Sequence, residues 1–187
     1  MKFWQLILVL FISFIVGFST NILYENLKLK GPNEDQTKFT AFLDEHWEYT
    51  IDQNPVFASL LGYKGYDDKV SSNSISEFYK NRDFEKYVIE VLEKINPEKL
   101  TKDDQLNYRL LLLSNKTDLE SRSFPGFYMR LNQRGGVQDY YDLASRLKLE
   151  SIKDHRNWFE RVKSYSQNVK NTLEINREGL EKGYTQP

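Results

Sequence analysis

The chain has 187 residues, of which 40% are hydrophobic, 28% charged and 14% aromatic, with no cysteine; this is the make-up of a globular protein of one domain, not of a collagen-like or disordered chain. Its 26 lysines and arginines against 27 acidic residues leave a formal net charge of -1, so charge offers no general attraction to nucleic acid, and no nucleic-acid partner is expected. With no cysteine and only His46 and His155 as imidazoles, disulfides, thiolate zinc sites, iron–sulfur clusters, cysteine nucleophiles and multi-histidine metal sites are excluded.

Residues 3–24 form a run of 22 positions without a charge. At about 1.5 Å per residue such a helix reaches roughly 33 Å, enough to cross a hydrocarbon core of about 30 Å. Lys2 and the terminal amine precede it, which keeps that end cytoplasmic and sends the remainder to the periplasm or exterior. Gly17-Phe18-Ser19 imitates the small-x-small pattern before a signal-peptidase cut, so residues 1–24 read equally as a cleaved signal peptide or as a single transmembrane anchor. Residues 25–36, with Gly31-Pro32, read as a polar linker.

The remainder, residues 37–187, is expected to be helical. Phe39, Phe42, Leu43, His46, Trp47 and Thr50 recur at three- and four-residue steps and stop before Asn54-Pro55, predicting a helix over 37–53. A short apolar piece, 56–61, precedes a turn-rich loop over 63–68. Ser74 with Glu77 is a capping signature, and Phe78, Val88, Val91, Leu92 and Ile95 carry a second helix to Asn96-Pro97. Thr101 with Asp104 opens a third, with Leu106, Leu110, Leu113 and Thr117 on one stripe and Leu111 and Leu112 widening it toward burial. A short helical turn is expected over 139–147. Ser151 and Asp154 open the longest helix, in which Ile152, His155, Phe159, Val162, Ser166, Val169, Leu173, Asn176 and Leu180 repeat near every 3.5 residues as far as a stop at Gly183. No strand-like alternation of useful length occurs. The fold class is therefore all-α: an amino-terminal signal or anchor helix followed by a bundle of about four to six helices.

Asn132, Gln133, Gly135 and Gly136 are the best binding candidates, because side-chain amides can read a peptide backbone while glycines let it approach. A tight turn between helices explains the same residues. His46, beside Glu45 and Glu48, reads as a packed histidine and not as an acid–base cluster, since neighbouring helical positions point different ways. Asp44, Glu48, Asp67 and Asp68 lack calcium-loop spacing and read as turn and cap residues. Tyr63, Tyr66, Tyr128, Tyr140 and Tyr141 suit either packing or a peptide- or sugar-binding surface.

Taken in order, the segments Phe42-Leu43-Asp44-Glu45-His46-Trp47-Glu48-Tyr49, Asn54-Pro55-Val56-Phe57-Ala58-Ser59-Leu60-Leu61-Gly62 and Tyr66-Asp67-Asp68, then Leu131-Asn132-Gln133 with Gly135-Gly136, and Glu178-Gly179-Leu180 to Gly183 and Pro187, resemble the bacterial Domain-of-Unknown-Function 885 family. The resemblance covers residues 39–187. It implies likeness to exported helical zinc metallopeptidases of several hundred residues whose zinc-binding His-Glu motif lies later in the chain. No His-Glu pair occurs here, since Trp47 follows His46 and Arg156 follows His155. The resemblance thus implies an exported or membrane-anchored helical segment without catalytic residues of its own, with no cofactor in this chain and zinc only in a longer relative. Its expected partners are a missing or separately encoded carboxy-terminal half, a peptide ligand, and the bacterial inner membrane through residues 3–24. The alternative is a free-standing envelope module for peptide binding or scaffolding.

Overall fold

The computed structural model describes residues 33–131, 136, 143, 147 and 149–184. Among them are five α-helices, two 3-10 turns and no strand. The apolar run over 3–24 lies outside the described residues, and no described helix is long and apolar enough to cross a membrane.

Local chemistry sets each boundary. Helix α1, Glu34–Gln53, starts three residues before the expected Thr37 because the Asn33 side chain accepts from the Gln36 N–H at 3.0 Å, with Glu34 and Asp35 in the first turn to complement the helix dipole. Helix α2, Pro55–Leu60, has proline at its first position, where the missing N–H costs nothing. Helix α3, Ile75–Leu92, is capped by Ser74, which accepts from the Glu77 N–H. It ends sooner than the expected Asn96-Pro97, and a 3-10 turn over Pro97–Lys99 follows. Helix α4, Lys102–Ser121, is capped by Thr101 through the Asp104 N–H. A second 3-10 turn covers Pro125–Tyr128. Helix α5, Ile152–Glu181, opens with a complete Ser151/Asp154 capping box and stops before Gly183, whose φ of 79° is the left-handed conformation that glycine adopts cheaply. The turn expected over 139–147 falls almost wholly outside the described residues.

The core joins α1, α3 and α4. Phe39 and Phe42 from α1 meet Val88 and Leu92 from α3, then Ile95, Leu100 and Tyr108. Each such side chain contributes about 1.5–3 kcal/mol on full burial. The one polar atom of this cluster is satisfied, because the Tyr108 hydroxyl donates to the Leu92 carbonyl at 3.0 Å.

Two helices turn the face that sequence periodicity selects away from this core. On α4, Leu106, Leu110, Leu113 and Thr117 are exposed, while Tyr108 and Asn115 point inward. On α5, Ile152, Phe159, Val162, Val169, Leu173 and Leu180 are exposed, whereas Arg161, Asn168, Asn171, Thr172 and Ile175 are buried. The inner face of α5 is held by polar contacts and one close approach. Arg161 donates from Nη2 to Ser59 Oγ and to the Tyr66 carbonyl, both at 2.7 Å. Asn168 Nδ2 donates to the Ser71 carbonyl at 2.9 Å, and Asn73 Nδ2 donates to the Asn168 carbonyl at 3.0 Å and to Thr172 Oγ1 at 2.9 Å. At Gly179 a Cβ would stand 2.7 Å from Tyr128 Cβ, so only glycine fits there.

This orientation has a direct consequence for stability. Leu92→Ala should cost about 3 kcal/mol, because it opens a cavity in the shared core. Leu113→Ala and Phe159→Ala, 65% exposed in each case, should stay within about 0.5 kcal/mol. Urea unfolding of the purified chain checks both; a loss above 2 kcal/mol for either exposed residue would contradict the orientation.

Candidate functional site

A cleft of about 780 Å³ opens between α3, the end of α4, the turn at Pro125–Tyr128 and α5. Phe78 and Glu85 line it from α3, Asp118 and Ser121 from α4, and Arg122 from the α4 cap. Phe127, Arg130, Gly136, Asn73 and Thr172 complete the lining.

Its organising element is the Arg122–Glu85 ion pair. Glu85 follows Phe78 by seven residues and precedes Val88 and Leu92 on the same face of α3, so an otherwise apolar stripe carries a carboxylate that is itself buried. That carboxylate needs a partner. Arg122 supplies it in bidentate form: Nε donates to Glu85 Oε2 at 2.6 Å and Nη2 to Oε1, the fork geometry that suits guanidinium to carboxylate. The guanidinium also lies over the Phe78 ring, 5.0 Å from its centroid. The hydrogen bonds that Arg122 donates to Glu85 raise its pKa above the ordinary value.

Glu85, Asp118 and Arg122 also line a second cleft, of about 390 Å³, bounded by His46, Tyr49 and Asn115, so the ion pair is a shared wall. Tyr49 stacks on Phe84 with centroids 3.5 Å apart and donates its hydroxyl to Asn81 Oδ1 at 2.8 Å. Burial, with Glu77 and Glu85 nearby, pushes its phenol up to about 12. His46 sits half-buried between Phe42 and Phe84, and burial pulls its pKa down.

Of the four residues expected to bind a ligand, Gly136 lines the main cleft, while Asn132, Gln133 and Gly135 lie outside the described residues. Sequence reasoning passed over Arg122, Glu85, Arg130, Asn73 and Thr172. The signal for one of them was present, since an acidic residue within an apolar stripe announces a buried pair; nothing local identifies Arg122 as its partner 37 residues away. Tyr63 is exposed and accepts a hydrogen bond from Trp47 Nε1 at 3.0 Å, and Tyr66 donates to Asp52. Tyr128 lies instead against α5, stacked with Tyr184 and bonded to Lys182.

Among the described residues no three His, Asp or Glu side chains converge. His46 is wedged between aromatic rings, and His155 is exposed with Nδ1 at 2.9 Å from the Ser151 carbonyl. What the main cleft offers is a cation–aromatic wall, amide and hydroxyl groups, and glycine backbone at Gly126 and Gly136, a combination suited to binding an extended polar chain.

Glu85→Ala should cost about 3 kcal/mol, because Arg122 is then left partly buried without its carboxylate. Glu85→Leu combined with Arg122→Met should recover most of that loss, and a double-mutant cycle by urea denaturation measures the coupling. His46 sets a pH dependence of definite sign. Its folded-state pKa lies below the unfolded value, so the unfolded chain binds more protons and stability falls as pH drops below about 6.5 and through the folded pKa. Denaturation midpoints measured across this range should flatten in His46→Gln.

No curated protein and no solved structure matches the chain. The family described as Bacterial protein of unknown function (DUF885) matches residues 55–187, from the start of α2 through the ion pair, Gly136 and α5, and leaves α1 ahead of the match. With that match spanning more than two thirds of its length, the chain belongs to this family.

Proposed function

We propose that this chain forms the substrate-facing helical wall of an exported or membrane-anchored, metallopeptidase-like protein, and that it binds polypeptide without cleaving it. The observation that carries this reading is the main cleft, lined by Arg130, Asn73, Thr172 and Gly136 together with the aromatic rings of Phe78 and Phe127. Such a surface can hold an extended peptide through its carbonyls, amides and carboxylates. Gly136 closes the Asn-Gln-x-Gly-Gly element of the sequence, which supports a role for that element in binding.

Two further features support the rest. The uncharged run over 3–24 supports export. The outward apolar rows of α4 and α5 support a segment that packs against further helices, such as a carboxy-terminal half, over a free-standing envelope module, whose surface would be polar all round. Bond cleavage is then left to residues outside this chain, since no His-Glu pair lies within it.

The test is a titration of the full chain with unstructured peptides of about eight residues, with product analysis and metal content from the same sample. Binding without hydrolysis is expected, and Arg130→Gln should weaken it about tenfold through loss of a charge-assisted hydrogen bond. Stoichiometric zinc with peptide cleavage, or no binding at all, would overturn the reading.

A further inference from the structure

The outward face of α5 has an order that burial within this fold does not explain. Ile152, Phe159, Leu173 and Leu180 fall at multiples of seven residues, interrupted only by Ser166, and Val162 and Val169 follow three residues behind Phe159 and Ser166. This is a coiled-coil seam of about four heptads along a helix of 30 residues, about 45 Å long. All six apolar members are exposed, with Ile152 at 76%.

A single-sign row runs beside the seam. Arg156, Lys163, Lys170 and Arg177 each stand four residues after a member of the first apolar row, hence directly alongside it, and all four are exposed. Among the described residues only Lys163 of the four forms an ion pair, with Glu160 at 2.5 Å. The opposite flank is already occupied, since Tyr165, Thr172 and Gly179 are buried in the fold.

We infer that this face docks one amphipathic α-helix, which lays its own apolar row along the seam and aligns carboxylates with Arg156, Lys163, Lys170 and Arg177. The inference rests on the reading of the chain as part of a larger helical assembly and names the chemistry of what α5 receives. A second copy of α5 fits poorly. In an antiparallel pair related by a two-fold axis the cationic rows would face each other, and in a parallel pair each would meet the flank that is already buried. An anionic bilayer fits poorly as well, because Glu160, Glu174 and Glu181 are exposed one row beyond the cations, within about a 10 Å Debye length of such a surface.

The experiment uses the full chain held in neutral-lipid nanodiscs, titrated with two synthetic helices about four heptads long. They share one leucine seam and differ only in carrying glutamate or lysine beside it. The glutamate helix should bind at least about tenfold more tightly, and its advantage should shrink as salt rises. The triple change Lys163→Glu, Lys170→Glu, Arg177→Glu should reverse the preference, and Phe159→Gln with Leu173→Gln should abolish binding of both helices. These side chains are exposed, so unchanged helicity by circular dichroism accompanies each variant. Equal affinity for the two helices, or a preference indifferent to the triple change, would overturn the inference. So would α5–α5 cross-links between copies that vanish in the Phe159/Leu173 variant, or binding of anionic vesicles in place of the helices. Peptide binding in the cleft depends on Arg130 and is insensitive to the α5 charges, so failure here and failure of the cleft reading register separately.

Discussion

The structure depends on how α5 is attached. A 30-residue helix with a strong apolar row would ordinarily lay that row on the core, since apolar burial is the main favourable term in folding. Here the inner face is mainly polar, with Arg161, Asn168, Asn171 and Thr172 beside Tyr165 and Ile175, and what orients it is a set of directional bonds to Ser59 in α2 and to the segment that follows it, above all Arg161 to Ser59 and Tyr66 and the Asn73–Asn168–Thr172 network. Such bonds have a single acceptable rotation of the helix about its axis. Displacing it would leave a buried guanidinium and buried amides without partners, at a cost of about 1–3 kcal/mol for each group and more for the charged one. Burial already pulls the Arg161 pKa down, and Tyr165, Asp67 and Asp68 nearby oppose that shift. The polar inner face is therefore what determines that the apolar row looks outward.

The same arrangement creates the cleft. With α5 attached through the loop at Asn73 and through Tyr128 against Gly179, it stands away from the α3–α4 pair and leaves Thr172 on one wall and Phe78 on the other. The Arg122–Glu85 pair then stiffens the α3–α4 side, tying the cap of one helix to the middle of its neighbour. A buried ion pair is weak evidence for net stability, because desolvation offsets much of its attraction. Its geometric effect is firmer, since a bidentate bond fixes both side chains and holds the guanidinium over the Phe78 ring.

Much of the fold was legible in the amino-acid sequence, and the legible part is local. Ser74, Thr101 and Ser151 cap the helices they were expected to cap, because a capping side chain bonds to backbone only two or three residues ahead and needs nothing from the rest of the molecule. The proline at position 55 and the glycine at 183 end or start helices for equally local reasons. The site was far less legible. Gly136, which lines the cleft, belongs to a motif visible in the sequence, but Arg122 with Glu85, and Asn73 with Thr172, are joined across 37 and 99 positions respectively. No spacing rule connects residues at such separations.

The sequence alone shows a helical periodicity over the described part, the caps that open α3, α4 and α5, the apolar row of each long helix, and the lack of a His-Glu pair. Only the tertiary structure decided which face is inside. Periodicity measures how apolar residues are distributed around a helix axis, whereas burial depends on which neighbours reach that face and what they bond to. For α1 and α3 the two agree, because Phe39, Phe42, Val88 and Leu92 meet one another. For α4 and α5 they part, because Tyr108, Asn115, Arg161 and Asn168 have partners inside the fold, whereas Leu106, Leu110, Leu113, Phe159, Leu173 and Leu180 are exposed and only Leu111 and Leu112 pack against the core.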